Sequence, residues 1–283
     1  MSSGQTDRHP LRCMEIWGGS EAVETELSTP GLEAWIYSRP FEGAARGGDV
    51  HYVSLCGGGV ITRIILADVS GHGESVAEVA VALRAILRRN INRKSQTRLV
   101  GELNRQFGGL LESQRFATAV VATYLASRDR LSICNAGHPR PLWHRAALGR
   151  WVALTPDAAE SAEAAGNLPL GLDDETPYDQ FAVNLGRGDL VLFYTDALIE
   201  AADPAGRPLG EAGLLAITRG LDPSDPRALG PALLAAVEAH RAGAPADDDL
   251  TLLTLYHNGG PTPRLSLGEK LDVYAKVFGL KAV

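Results

Sequence analysis

Residues 49–73 read DVHYVSLCGGGVITRIILADVSGHG. Two runs rich in β-branched and aromatic residues, Asp49–Cys56 and Val60–Val69, flank Gly57-Gly58-Gly59. Such a pattern predicts a β-hairpin. The second run ends at Ser70-Gly71-His72-Gly73, a turn in which Gly71 and Gly73 permit positive φ. Beyond it, Val76, Val79, Ala80, Leu83, Ile86 and Leu87 recur at helical spacing. Glu74, Glu78, Arg84 and Arg88 occupy the opposite face, so an amphipathic helix follows the hairpin.

Working outward, further strands are expected at Ala34–Ser38, Ala117–Ala126, Arg130–Asn135, Arg140–His144, Tyr178–Asn184, Asp189–Tyr194 and Leu250–Tyr256. Helices are expected at Gln96–Glu112 and Pro226–Ala242. Gly186-Arg187-Gly188 predicts a second hairpin between the strands on either side of it. Asp157–Asn167 has the composition of a loop or a weak surface helix, and Pro204–Pro208 reads as a loop. Strands outnumber helices and many are hairpin-linked. The class is therefore α+β, with antiparallel sheets covered by helices rather than alternating βαβ units.

Residues 34–256 read as one domain, preceded at 1–33 by a leader or packed N-terminal arm. Residues 257–264 read as a linker. Residues 265–283 read as an amphipathic helix, opened by the capping box Ser266-x-x-Glu269. Its stripe of Leu267, Leu271, Tyr274 and Phe278 suits docking on its own domain, with a homodimer or regulatory-partner contact as the sharper alternative.

Composition narrows the function. At 283 residues and 45% hydrophobic, the chain is neither disordered nor fibrous. With 27 basic against 34 acidic residues and a net charge of −7, it lacks the basic surface of a nucleic-acid binder. Cys13, Cys56 and Cys134 are odd in number and widely spaced, so neither a disulfide framework nor a zinc knuckle is expected. That fits a reducing, cytoplasmic home. Residues 1–10 lack the apolar core of a signal peptide, and no apolar run is long enough to span a bilayer.

Four aspartates stand at the edges of apolar strands: Asp49, Asp68, Asp196 and Asp248. One such residue is an ordinary strand-ending turn former. Four, on strands whose ends hairpins bring together, suggest a shared charge sink. Oxygen donors without His or Cys suit hard divalent ions, Mg²⁺ or Mn²⁺. Composition alone leaves that reading beside the plainer one.

Gly47-Gly48-Asp49, ADVSGHG at 67–73, NAGHPRPL at 135–142, LPLGL at 168–172, GDLVLFYTDALIE at 188–200 and DDDLTLL at 247–253 occur in this order. The ordered set resembles the SpoIIE-like, RsbU-like branch of the metal-dependent protein phosphatases, relatives of protein phosphatase 2C. The resemblance spans roughly 34–256. It implies a four-layer α/β/β/α sandwich of two antiparallel sheets flanked by helix pairs, with a metal site at one end. It also implies removal of phosphate from phosphoserine or phosphothreonine of a protein, typically a small STAS-type anti-anti-sigma factor.

By the same resemblance, Asp49 and Asp68 match paired ligands for two Mn²⁺ or Mg²⁺ ions, and the Val69 backbone carbonyl a further ligand. Asp196 matches the aspartate of a T/S-D-G motif. Asp248 matches the first aspartate of the closing motif, with Asp249 as second choice. A water activated between two metal ions needs no protein nucleophile. His72 is a candidate general acid, although Ser70 falls at the histidine position of the wider family's motif. Its plainer role is capping the turn. Arg46 is a candidate phosphate contact beside its plainer reading as a surface arginine. His138 reads as stabilising the Gly-His-Pro turn, and His51 could face the site or solvent. Ala197 departs from the usual glycine. If that position needs φ > 0, it costs about 1 kcal/mol of strain. Ala197 and the open identity of the general acid together motivate the alternative function, a weakly active, phosphatase-like scaffold that sequesters a phosphoprotein. A nuclease fits poorly with the acidic balance.

Overall fold

The hairpin forms over the expected residues and anchors one of two sheets. The computed structural model describes residues 8–11, 15–56, 59–71, 74–91, 93, 95–109, 115–156, 167–261 and 268. The strands are β1 (Arg8–Pro10), β2 (Ile16–Gly19), β3 (Val23–Thr29), β4 (Leu32–Arg39), β5 (Asp49–Cys56), β6 (Ile61–Val69), β7 (Ala117–Leu125), β8 (Arg130–Ala136), β9 (Leu142–Arg145), β10 (Arg150–Ala153), β11 (Phe181–Asn184), β12 (Leu190–Tyr194) and β13 (Leu250–His257). The helices are α1 (Glu74–Asn90), α2 (Gln96–Gly108), α3 (Gly210–Arg219) and α4 (Pro226–Arg241).

A six-stranded sheet runs β11-β8-β7-β6-β5-β2 and a seven-stranded sheet runs β1-β3-β4-β13-β12-β9-β10. Neighbouring strands are antiparallel, except that β1 runs parallel to β3. The four layers follow from side-chain alternation along each strand. On β5, Val53 and Leu55 face the other sheet, while Val50 and Tyr52 face α1 and α2. On β6, Ile64 and Leu66 face inward, and Ile65, Ala67 and Val69 face the helices. Val191, Phe193, Leu253 and Leu255 complete the inter-sheet core. Leu192 and Leu252 turn outward to pack against Leu214 of α3 and Leu229, Leu233 and Val237 of α4.

The helix ends have local causes. Ser95 accepts the Arg98 N–H ahead of α2. Asp225 accepts from Arg227 and Ala228 ahead of α4, with Pro226 in the first turn. The helix expected at Gln96–Glu112 ends at Gly108, and residues 110–114 lie outside the described residues. So do 157–166 of the expected loop and, apart from Gly268, the whole amphipathic segment 265–283. Among the described residues, Cys56 and Cys134 are not joined to each other; Cys134 is buried, and Cys13 is not among the described residues.

α3 and β10 are not expected from the sequence, and two further differences bear on how the sheets are built. Residues 16–29 supply strands to both sheets, β2 beside β5 and β3 beside β4. The Gly186–Gly188 turn does not close a hairpin. β11 pairs with β8 in one sheet, whereas β12 pairs with β13 and β9 in the other. A glycine turn reports that the chain bends, not that both arms stay in one sheet. Here the bend is held by buried Asp189, which accepts from Gly186 N at 2.9 Å, Ala146 N at 2.8 Å and Trp143 Nε1 at 3.0 Å.

Asp189→Ala would leave three donors without their acceptor. A loss of about 3 kcal/mol of folding stability is expected, read from urea denaturation. An unchanged midpoint would refute this role for Asp189.

Candidate metal centre

β5 and β6 pair with Asp49 opposite Asp68, so register alone places two carboxylates side by side on the inward face. Both are buried. Asp196 comes from the other sheet, in a 3-10 turn (Asp196–Leu198) directly after β12. Asp248 stands just before β13. Thr195 joins the two halves: its hydroxyl donates to Asp49 Oδ2 at 2.9 Å and accepts from Thr251 N at 2.9 Å.

These carboxylates perturb one another. Burial pushes the Asp68 carboxyl up to about 9, reinforced by the charges of Asp49, Asp196, Asp248 and Asp249. Burial also raises Asp49 well above the usual range, with Asp249 and Asp196 adding to it and the Thr251 and Thr195 hydroxyls opposing. Asp196 is raised by burial and then by Glu200, against backbone N–H groups and a contact with Asp68. Asp248 is raised by burial and by its acidic neighbours, against the Asp249 N–H.

A hard divalent ion fits this donor set. The donors are all oxygen, their charges repel without a cation, and Asp49 Oδ1 is buried with no hydrogen-bond partner among the described residues. As they stand, no three His, Cys, Asp or Glu side chains among the described residues are gathered closely enough to hold an ion.

Asp248 and Asp249 do different work. Asp249 is buried and fully engaged, accepting from Phe41 N at 2.6 Å and Gly48 N at 2.5 Å. It pins the loop ahead of β5. A Cβ at Gly47 would stand 2.4 Å from the Asp249 carboxylate, and one at Gly48 would stand 2.7 Å from Val76 Cγ1. These glycines therefore let backbone pass a carboxylate and the first turns of α1. Asp248 is half-buried and, among the described residues, receives only the Asp249 N–H, at 2.8 Å. The Val69 carbonyl lies 3.2 Å from where a Gly48 Cβ would be, beside the same loop.

Arg46 is half-exposed and donates to Glu21 Oε1 at 3.1 Å, an oxygen it shares with Arg84. His72 lies outside the described residues. Ser70 accepts from Phe116 N at 3.2 Å and donates its own N–H to Phe116 O, tying the β6 exit to β7. His138 is buried, bonded through Nδ1 to Thr118 Oγ1 at 2.8 Å, and desolvation lowers it to about 3. Its backbone and the Asn135 amide exchange two hydrogen bonds, which fixes the Gly-His-Pro turn. His51 is buried beside Trp17, not solvent-facing, and burial lowers it to about 4. Ala197 is not among the residues with positive φ, so the missing glycine costs no strain. Thr195 and Asp189 lie inside the 188–200 motif but are not singled out by it, and Arg241 carries no motif signal; the partners that give each its role include ones distant in sequence.

The family described as Stage II sporulation protein E (SpoIIE) matches residues 59–258. Phosphoserine phosphatase RsbP of Bacillus subtilis is 25% identical over 142 residues, 48% of this chain and 33% of that relative. The chain thus spans about a third of that relative's length. Among solved structures, the RsbU and RsbW domains of Rv1364c from Mycobacterium tuberculosis align with a TM-score of 0.66 and 26% identity, over 91% of this chain and 72% of that one. The phosphatase domain of SpoIIE from Bacillus subtilis, with a fragment of its regulatory domain, aligns at 0.66 and 16% identity, over 88% and 71%. The chain belongs to the SpoIIE family, in the SpoIIE- and RsbU-like branch of the metal-dependent protein phosphatases.

Two outcomes follow from this geometry. Folded, the raised aspartates keep protons that unfolded aspartates release near about pH 4. The metal-free fold therefore loses stability as pH rises from there through about 9, the value for Asp68. Lowered His51 and His138 act in the opposite direction below about pH 6.5, but equally with and without metal. The melting-temperature gap between protein in Mn²⁺ and in EDTA should widen from about pH 5 to pH 8; a constant gap would contradict the coupling. Asp249→Asn should lower the melting temperature in EDTA by unpinning the Phe41–Gly48 loop. Asp248→Asn should leave it unchanged or higher and weaken Mn²⁺ binding. The reverse pattern would exchange their roles.

Proposed function

We propose that this chain is a phosphoserine/phosphothreonine protein phosphatase that uses two Mn²⁺ or Mg²⁺ ions. Its proposed substrate is a phosphorylated regulatory protein of the STAS, anti-anti-sigma type. The observation that supports this reading is the pairing of Asp49 with Asp68 in one sheet, near enough to Asp196 and Asp248 of the other for their charges to act on Asp68. Phosphoserine phosphatase RsbP among the relatives, and the manganese-bound phosphatase PstP at a TM-score of 0.53, support it.

Asp49, Asp68, Asp196 and Asp248 would hold the ions, with the Val69 carbonyl as a further donor. Bound there, divalent ions would supply a water acidic enough to attack phosphorus and positive charge to offset the dianionic phosphoryl group. The chain's own residues do the rest. Thr195 fixes which Asp49 oxygen faces the cleft, and Asp249 holds the backbone at Gly47-Gly48 against it. Arg46, three residues before Asp49, would turn from Glu21 to the phosphate; Arg84 stays on Glu21 and keeps that carboxylate paired. His72 remains the proposed proton donor to the leaving alkoxide. The amphipathic 265–283 segment is the proposed contact for a regulatory partner or second copy. The site of action proposed is the cytoplasm; no helix among the described residues is long and apolar enough to cross a membrane. The scaffold alternative drew on Ala197 and on the open identity of the general acid; the unstrained turn removes the first ground and leaves the second.

Purified protein with Mn²⁺ should release phosphate from a generic aryl phosphate and from a phosphorylated STAS protein. Asp196→Asn should lower kcat by about a hundredfold or more. Turnover that persists in excess EDTA would overturn the metal mechanism. A stable phosphoprotein complex without phosphate release would favour sequestration instead.

A further inference from the structure

Arg241 ends α4 and is the bulkiest of the fully buried side chains, at 1% exposure. Its guanidinium reaches two separate loops. Nη2 donates to the Ala197 carbonyl at 3.1 Å, and Nη1 donates to the Pro245 carbonyl at 3.0 Å. Ala197 directly follows Asp196, and Pro245 opens the short run to Asp248. Among the described residues, the carboxylate nearest the guanidinium is that of Asp247, at 4.0 Å and largely exposed, and Nε has no hydrogen-bond partner.

A guanidinium stays charged, and burying it without a close counter-ion is unfavourable. A helix end that only had to pack would carry Leu or Met. Two things favour arginine here. One is the negative field of Asp196, Asp247 and Asp248, which lie on the loops it grips. The other is its rigid fork, which spans two acceptors where an ammonium spans one. The bonds go to backbone carbonyls, not to the carboxylates. Asp196 and Asp248 therefore stay free of a salt bridge that would compete with an ion.

We propose that Arg241 is a positioning residue. One fork fixes the spacing between the 196 turn and the 245–249 loop, and with it the spacing of the two carboxylates offered to metal from the seven-stranded sheet. The inference rests on the reading of Asp196 and Asp248 as metal ligands, and its first readout is independent of metal.

The test compares wild type with Arg241→Lys, which keeps the charge, and Arg241→Met, which keeps the bulk. Hydrogen exchange is followed in EDTA at the amides of Leu198, Ile199 and Glu200 on one side and Asp249 on the other. Mn²⁺ affinity is measured by calorimetry well below each melting temperature. Both loops should exchange about tenfold faster or more in the Lys variant, while β12 stays protected. Mn²⁺ should bind about tenfold or more weakly to both variants. Loosening of one loop or of neither overturns the proposal. So does Mn²⁺ affinity within about twofold of wild type in a variant that merely melts earlier. If Arg241→Met fails to fold, the Lys variant decides. If wild type binds no Mn²⁺, the metal reading falls, and the exchange experiment still decides whether Arg241 couples the two loops.

Discussion

The Thr195 hydroxyl crosses from the seven-stranded sheet to Asp49 in the six-stranded sheet, where neither side chain meets solvent. Everything at that end of the molecule depends on the sheets holding this separation. The aspartates work against it. Two carboxylates about 4 Å apart repel by about 4 kcal/mol even at an effective dielectric near 20. The inter-sheet core opposes them. Each buried Leu or Phe there contributes about 1.5–3 kcal/mol, and Leu27, Ile36, Val53, Leu66, Phe193 and Leu253 are only part of that layer. The core wins, so the cost appears as raised carboxyl pKa values and not as separated sheets. A cation or a proton is what the cleft then favours.

Local periodicity made the centre of the fold legible. Alternation along Asp49–Cys56 and Ile61–Val69, and helical spacing along Glu74–Asn90, each determine a buried face without reference to anything distant. The elements missed are those whose pattern is weak. Val23–Thr29 reads VETELST, a polar strand with two fully buried residues, and it becomes a strand because β4 pairs with all seven of its positions. Gly210–Arg219 opens on a glycine with no side-chain cap, so no start signal marks α3. The sheet change at Asp189 was hidden for a different reason. Its acceptor bonds to Trp143 and Ala146 span 46 and 43 residues, and no turn signature reports them.

The site divides along the same line. Aspartates at strand ends are conspicuous because Asp is depleted within strands, and four of them could be read directly. What orients them could not. Thr195 and Asp49 are 146 residues apart, Gly48 and Asp249 are 201 apart, and Arg241 and Ala197 are 44 apart. Asp248 and Asp249 are adjacent and chemically identical. They separate into a free carboxylate and a backbone clamp only because β13 directs the second one at the Gly47-Gly48 backbone. Resemblance to a motif ranks such neighbours; geometry explains the ranking.

The charge balance gains a location from this arrangement. The chain carries a net −7, which by itself would repel a phosphorylated partner from every side. Four of the acids responsible sit in one cleft, where burial and mutual repulsion raise their carboxyls above the usual range and take Asp68 up to about 9. On the proposed reading, two divalent ions bound there would displace any protons held and offset the four carboxylate charges, while the rest of the surface stays acidic. Attraction of a phosphoryl dianion would then be confined to the cleft. On the same reading, removing the ions would weaken substrate binding as well as the chemical step, which would tie recognition and turnover to the same four carboxylates.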